Sequence, residues 1–346
     1  MKIVTSANEE EKENFILQKN QHLQYAEKAR LSKEEAKTLA CKEKTTVSFC
    51  FDLQKTLPTP VLTCGEIFYL RQMACYNLCI HNLESGQASM HLWHEGQARR
   101  GSQEIISCLL NYLERLPKFV KKIVAFSDNC GGQNKNKNII KFWLYVISNT
   151  QIETVEHKFL VSGHSFMECD QNFGVIEKKK KTTGYVFAPK DWARLIKNSS
   201  KKFNVIEMQQ KDFVSIENFG KNLLINQIKG IRNFSYMRFE KKDPYKFWYK
   251  CDLEEESPFT EVNLKSKGRP ANLSNTSLNS LYKEPIPIHR QKYQNLQSLL
   301  KYLPLEHHEF YKNLKYSDNS KSQSAQKGNE ENSEFETATD LESNYE

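Results

Sequence analysis

Three aspartates stand where the sequence changes character. Asp52 sits near the end of the apolar run TTVSFCFDL (45–53), Asp128 closes KKIVAFSD (121–128), and Asp170 lies in MECDQNF, where a helical pattern begins. Gaps of 76 and 42 residues separate them. One aspartate at a strand end is usually a turn former or a solvated residue. Three at successive element ends suggest more, because carboxylates gathered from distant points of a chain hold hard divalent cations. Two such cations activate a water or a 3′-hydroxyl and stabilise the leaving oxygen of a phosphodiester. The expectation is Mg2+ or Mn2+ held by Asp52, Asp128 and Asp170, with no general base required from the protein. Glu177 competes for the third place: a helix starting near Phe173 would carry it one turn inside, with Asp170 at the cap. Glu168 is a weaker rival. Glu95 and Glu104 are candidate fourth ligands, weighed against surface carboxylates beside a positive helix end.

The elements that must position these acids follow from periodicity. Residues 8–40 are helix formers with few breakers, and Ser32 followed by Glu35 has the spacing of a capping box for a second helix, so the opening is a helical arm or a hairpin. Dense β-branched and aromatic residues predict strands over 45–53, 67–83 and 88–95, with LPTP and ESGQ as turns. From Ser102 the period changes, and Ile105, Leu109, Tyr112 and Leu116 share a helical face that Pro117 ends. A strand over 121–128, the loop NCGGQNKNKN, a helix around 139–147, a strand over 156–165 and a helix over 170–181 complete the series. The order βββ-α-β-α-β-α is that of an α/β, ribonuclease-H-like mixed sheet: a three-stranded meander, then alternating helices and strands, with acids on the first strand, after the fourth and on the helix after the fifth.

Around this core, 45–181, the chain divides into a helical N-terminal arm (1–44), an extension packed on the core (182–257), a loop and helical segment (258–316) and a low-complexity acidic tail (317–346) expected to be disordered. The extension shows helix near Pro189, strands at FNVIEM and FVSIEN, and a strand pair in YMRFEKKDPYKFWYKC.

Charge points to a polyanionic partner. The net charge is +8, but the tail from Ser317 carries 8 acids and 2 lysines, so the body holds 48 basic and 34 acidic residues, +14. No apolar run is long enough for a membrane span, and the opening MKIVTSANEEEKENF lacks the marks of a secretory signal. A nuclear or cytoplasmic protein that is not secreted is expected. Nine cysteines without CxxC pairs are read as reduced packing residues rather than a zinc site, since Cys75 and Cys79 find no partner pair at ligand spacing.

The runs FSDNCGGQNKNKNIIKFW, GHSFMECDQNFGVIEK and MHLWHEGQARRGSQEIISCLLNYL, with DLQKTLPTP, YNLCIHN, HLQYAEKAR and LYKEPIPIHRQKYQNLQSLLKYLP, resemble a family of transposon-derived proteins of insects and other invertebrates. That family is catalogued as a domain of unknown function with a DDE-transposase-like, ribonuclease-H-like core, and the likeness covers most of residues 20–313. The SDN triplet is similar to the second acidic motif of integrases and DDE transposases. The resemblance implies a nuclease or strand-transfer core acting on DNA, with transposase-like multimers as a precedent for a homo-oligomer. Longer members carry further N-terminal sequence ahead of the helical arm, which puts end-sequence recognition in doubt here. The alternative is a domesticated, inactive DNA-binding or assembly protein that kept the fold, and cleavage of RNA in a hybrid would share the chemistry. No small-molecule cofactor is implied.

Several cations suit a phosphate backbone. Lys135 and Lys137 follow Asp128 in a loop whose two glycines permit close backbone approach. Lys178, Lys179, Lys180 and Lys181 form a run on the last core helix, against the reading of a solvated face or an import signal. Arg99 and Arg100 precede the first core helix, with surface salt bridging as the alternative. Lys267 and Arg269 in SKGRPAN resemble an AT-hook core, which fits a narrow minor groove, against a plain Gly-Pro linker. His164 beside Ser165 is a candidate for orienting water or phosphate near the third acid, against a structural histidine; no GxSxG elbow supports a serine hydrolase.

Overall fold

A computed structural model describes residues 9–160, 167–266 and 272–318. The chain begins with one helix, α1 (Glu9–Lys42), and continues through β1 (Thr46–Leu53), the short β2 (Leu57–Thr59), β3 (Met73–Asn82), β4 (Ala88–His94), α2 (Ser102–Glu114), β5 (Lys122–Ser127), α3 (Lys137–Asn149), β6 (Thr154–Phe159) and α4 (Glu168–Thr183). Then come α5 (Pro189–Lys197), β7 (Phe203–Glu207), β8 (Val214–Ser215), β9 (Tyr236–Glu240), β10 (Lys246–Lys250), β11 (Thr260–Asn263), β12 (Asn279–Ser280), β13 (Ile288–His289), α6 (Arg290–Ser298), α7 (His308–Lys312) and β14 (Tyr316–Ser317).

The fold is α/β, built on one mixed sheet in the order β11-β10-β9-β6-β5-β1-β3-β4-β7, with β2 paired to β3. β1, β3 and β4 form an antiparallel meander, while β5 and β6 run parallel to β1 on its other side. Strict alternation along β1 and β5 sorts the two faces. Val47, Phe49 and Phe51, with Ile123 and Ala125, face the core shared with α2 and α3. Cys50, Val124 and Phe126 face the opposite core, which also holds Ala29 and Ala36 of α1, Cys169 and Ile176 of α4, and Trp192 of α5.

The arm is one helix of 34 residues, not a hairpin. Ser32 does not cap a second helix; its hydroxyl accepts from Lys158 Nζ at 2.7 Å and is buried against the sheet. Ala29, Ser32, Lys33, Ala36 and Ala40 make one buried stripe at helical spacing, and their small side chains let the helix lie close on the core. The expected turn at LPTP is partly the short strand β2, which delays the next strand to Met73.

Beyond residue 181, β7, β9, β10 and β11 lengthen the sheet, β8 pairs with β12 and β13 with β14 in two small sheets, and Phe213, Ile216 and Phe219 pack into the core. β7 adds parallel to β4 at one edge. β9 adds antiparallel to β6 at the other, followed by β10 and by β11, the last from a stretch expected to be loop. The helical part of the expected segment over 258–316 is two short helices, α6 and α7, separated by 3₁₀ turns.

Candidate acidic site

Register puts two of the acids side by side. Cys50 of β1 pairs with Phe126 of β5 in parallel, and carrying that register on by two residues sets Asp52 against Asp128. Adjacent strands lie about 4.8 Å apart, and equal offsets in a parallel pair point to the same face. That face is the one covered by α4, whose first turn carries Asp170. Each carboxylate is anchored through one oxygen. Asp52 Oδ1 accepts from the Leu53 amide at 2.8 Å, Asp128 Oδ1 from the Cys130 amide at 3.1 Å and Asn134 Nδ2 at 2.5 Å, and Asp170 Oδ2 from the Met167 amide at 3.1 Å.

Burial and like charge together favour a proton on Asp52. Asp52 is pushed up to about 7, first by burial, then by the negative charge of Asp128, with a smaller push from Asp170; the Leu53 amide pulls the other way. Paired carboxylates behave in this way when nothing cationic lies between them. Among the described residues, no three His, Cys, Asp or Glu side chains stand close enough to enclose a metal ion. Uncompensated negative charge and all-oxygen donors nevertheless suit a hard divalent cation, which Asp52 and Asp128 would hold with Asp170 at the margin.

The loop after Asp128 is held from within. Cys130 carbonyl oxygen accepts from the amides of Gln133, Asn134 and Lys135, and Asn136 caps α3 by accepting from the amides of Asn138 and Ile139. A Cβ added at Gly131 or Gly132 would meet nothing within 4 Å, so no contact inside the chain demands glycine there. Lys135, expected to reach phosphate, is buried instead. Its Nζ donates to Asn129 Oδ1 at 2.8 Å and to the Arg232 carbonyl at 3.0 Å, and lies 4.8 Å from the centre of the Phe159 ring. Burial lowers its pKa to about 8. Lys137 donates to the Asn226 carbonyl at 3.1 Å and remains partly exposed.

Beneath Asp128 runs a buried chain that sequence reasoning missed. Trp143 Nε1 donates to His157 Nδ1 at 3.1 Å, His157 Nε2 lies 3.0 Å from Ser127 Oγ, and Ser127 Oγ donates to the Asp128 carbonyl at 3.0 Å. Alternation along 154–159 was the signal for His157, since it falls on a buried position of β6.

The other acids have different partners. Glu177 forms an ion pair with Lys180 at 3.5 Å, and its charge is not among those that shift Asp52. Glu168 pairs with Lys33 of α1 at 3.0 Å and accepts from Cys50 Sγ at 3.3 Å; despite burial, Lys33 keeps its carboxyl below the usual range. Glu95 receives Lys292 Nζ on both oxygens, at 2.7 and 2.8 Å, and the Ala74 amide at 2.8 Å. Glu104 accepts from the Gly101 amide at 2.9 Å, capping α2, and from the Tyr282 hydroxyl. Both are structural fasteners in this arrangement.

Among the cations, Lys178, Lys179 and Lys181 are exposed on α4, while Lys180 is turned toward Glu177 and the Trp192 ring. Arg100 is exposed, and its Nη1 donates to Thr56 Oγ1 at 3.4 Å in the loop that follows Asp52. Arg99 is partly buried; its carbonyl accepts from Trp93 Nε1 and its amide donates to the Tyr282 hydroxyl. His164, Ser165, Lys267 and Arg269 lie outside the described residues, as does the tail from 319. All nine cysteines are free thiols, Cys50, Cys75, Cys79, Cys108 and Cys169 being buried. No helix among the described residues is long and apolar enough to cross a membrane.

No curated protein and no solved structure matches the chain. A family model does match residues 79–253, about half of the chain, a span that contains Asp128, Asp170 and every strand from β4 to β10 and begins after Asp52. On that match, the chain belongs to the family described as a domain of unknown function, DUF7869.

Proposed function

We propose that the chain has a ribonuclease-H-like core of transposon origin and carries out metal-dependent cleavage or strand transfer on DNA, in the manner of a DDE transposase or integrase. The observation that carries this reading is the pair of Asp52, on β1, and Asp128, directly after the parallel neighbour β5: burial first, then the charge of Asp128 and more weakly that of Asp170, raises Asp52 to about 7. The strand order supports the fold assignment: a meander of β1, β3 and β4, with β5 and β6 parallel to β1 on its other side, is the arrangement of that fold.

Bound Mg2+ or Mn2+ would supply an activated water or 3′-hydroxyl and stabilise the leaving oxygen. The chain's own residues then have separate tasks. Asp52 and Asp128 present anionic oxygens from fixed strand ends, and the Ser127, His157 and Trp143 chain fixes the backbone under Asp128. Gly131 and Gly132 leave open room for a nucleic-acid backbone beside Asp128. Lys178, Lys179 and Lys181 on α4, and Arg100 beside the loop after Asp52, supply exposed positive charge for phosphates. Work on DNA implies a nuclear site of action, and a homo-oligomer belongs to the same reading.

A second reading, an inactive DNA-binding or assembly protein, is favoured by one observation. Asp170 accepts the Met167 amide at the start of α4, so helix capping alone accounts for its presence. One experiment separates the two: supercoiled plasmid and labelled oligonucleotides incubated with the protein in Mg2+ or Mn2+, beside Asp128→Asn. Nicking or joining by the unaltered protein, lost in the variant, is expected. Equal binding by both with no cleavage by either supports the second reading.

A further inference from the structure

A cavity of about 500 Å3 opens at the end of β6, lined by Tyr25, Phe159, Asn233, Ser235, Cys251, Asp252 and Leu253. Its position follows from strand pairing. Phe159 ends β6 and is the register partner of Ser127, the residue before Asp128. The Phe159 amide donates to the Ser235 carbonyl at 2.9 Å, and the Ser235 amide to the Lys250 carbonyl at 2.8 Å, so one wall is the sheet itself, one strand removed from the acid. The carboxyl ends of parallel strands are where open α/β sheets take ligands. Across the opening lies α1, held to the segment after β10 by the ion pair of Lys28 with Glu254.

The lining has the chemistry of a flat aromatic heterocycle. Phe159 closes the inner end: the residue is 2% exposed and its ring already packed by His157 at 4.3 Å, with Lys135 Nζ at 4.8 Å. Tyr25 is half exposed and offers an aromatic face for stacking, with Leu253 as an apolar neighbour. Asn233 brings an amide that both donates and accepts. Asp252 brings a carboxylate, already oriented by the Glu254 amide and the Ser257 hydroxyl at 2.9 Å each, that accepts further donors. A stacked ring read at its edge by an amide and a carboxylate describes a nucleobase, preferably one with an exocyclic amino group. The volume falls within the range of roughly 300–1,000 Å3 usual for small-ligand sites.

We propose that this cavity receives one unpaired nucleobase of the DNA strand whose phosphodiester lies at the acidic site. The inference rests on the nucleic-acid reading above and adds to it a substrate in which a base near the reacting bond is out of the stack. A continuous link joins the two sites: Lys135 Nζ donates to Asn129 Oδ1, and Asn129 Nδ2 donates to the Leu160 carbonyl at 2.8 Å. Loop and inner wall are thereby held together, and a strand running from Asp128 toward α1 would set its next base against Tyr25. A duplex would have to flip that base out, whereas a single strand would not.

The test uses the full chain and single-stranded oligodeoxynucleotides carrying 2-aminopurine, or an abasic site, at one position stepped along the strand. At one position the unaltered protein is expected to quench 2-aminopurine fluorescence and to bind the abasic strand roughly ten-fold more weakly, in line with the worth of one stacked base. Tyr25→Ala should abolish the quenching and bind intact and abasic strands alike, while Tyr25→Phe keeps both effects. Tyr25 is a half-exposed helical residue, and an unchanged melting temperature in the variants confirms that the fold survives. Equal binding of intact and abasic strands by the unaltered protein at every position overturns the proposal, as does quenching that persists in Tyr25→Ala, or binding confined to RNA. Asp128→Asn run in parallel keeps the two readings apart: quenching with no aspartate-dependent cleavage fails the catalytic reading alone, and aspartate-dependent cleavage with no base effect fails the cavity alone.

Discussion

Trp143 Nε1 donates to His157 Nδ1 across 3.1 Å, so the imidazole proton resides on Nε2, toward Ser127 Oγ. A ring nitrogen that accepts cannot also carry hydrogen. The proton on Nε2 leaves the Ser127 hydroxyl hydrogen free for the Asp128 carbonyl, and all three links are directional. Trp143→Phe preserves much of the packing but deletes the first donor, and is expected to cost about 1–2 kcal/mol. Nitrogen-15 spectra of the imidazoles should show His157 as the Nε2–H tautomer in the unaltered protein and a mixture in the variant; an Nδ1–H form in the unaltered protein contradicts the arrangement.

Acid should weaken the fold through its buried histidines. Burial depresses His157 to about 3, helped by the charge of Lys135, and depresses His91 and His94 to about 4. The folded chain therefore keeps these rings neutral while the unfolded chain protonates them near pH 6.5. With the folded pKa below the unfolded one, stability is complete above about pH 6.5 and is lost progressively down to about pH 3–4. Urea midpoints should fall between pH 7 and pH 5, with a shallower fall in His157→Phe. A flat midpoint across that window in Asp52→Asn, which lacks the opposing carboxylate titration, would show that the rings are not buried neutral.

Asp52 has the opposite sign. Its folded pKa, about 7, lies well above the ordinary aspartate range, so its contribution is favourable below about pH 4 and declines as pH rises to 7. Asp52→Asn should therefore raise the melting temperature at pH 8 while removing cleavage. Mn2+ should raise the melting temperature of the unaltered protein more at pH 8 than at pH 6, and that of Asp52→Asn or Asp128→Asn little at either. An equal shift in all three proteins would place the cation elsewhere.

Lys33 of α1 and Glu168 of α4 form an ion pair in which the lysine is 8% and the glutamate 25% exposed. Removing one member of a buried pair strands the other charge, and Lys33→Ala is expected to cost about 3 kcal/mol. Lys33→Met combined with Glu168→Gln should recover much of this. Denaturant midpoints decide it, and a double variant no better than the single one would assign the loss to packing.

The lysines should divide by salt dependence. If DNA lies along α4, replacing Lys178, Lys179 or Lys181 by alanine lowers the slope of log affinity against log salt by about one each. Lys135→Met should destabilise the fold and leave that slope unchanged, because its ammonium is spent on Asn129 and Arg232. A slope that falls in Lys135→Met would return that residue to the phosphate contacts.

What could be read from the sequence was whatever obeys a short period. β1 and β5 are dense enough in β-branched and aromatic residues that their existence follows from the letters, although both are buried on both sides and their faces do not. Register does not, since it depends on pairing between segments 76 residues apart. Lys135 sits in NKNKN, a string that looks like solvated surface; its burial comes from Phe159 and Arg232, both remote in sequence. Ser32 and Glu35 have cap spacing, but Lys158 takes the hydroxyl and α1 runs through. β7 and β11 are too short and polar to announce which edge of the sheet they join.

The way the sheet ends at both sides also constrains how the protein can be made. A ribosome that has released the chain as far as Phe159 has delivered the acid-bearing strands with two raw margins, β4 and β6, each offering unpaired amides and carbonyls to any neighbouring nascent chain. β7 shields the first only after Glu207 emerges, and β9 shields the second only after Glu240. Gene fragments stopping between these points should accumulate as aggregates rather than as smaller soluble proteins, and chaperone dependence should be concentrated in that interval of synthesis.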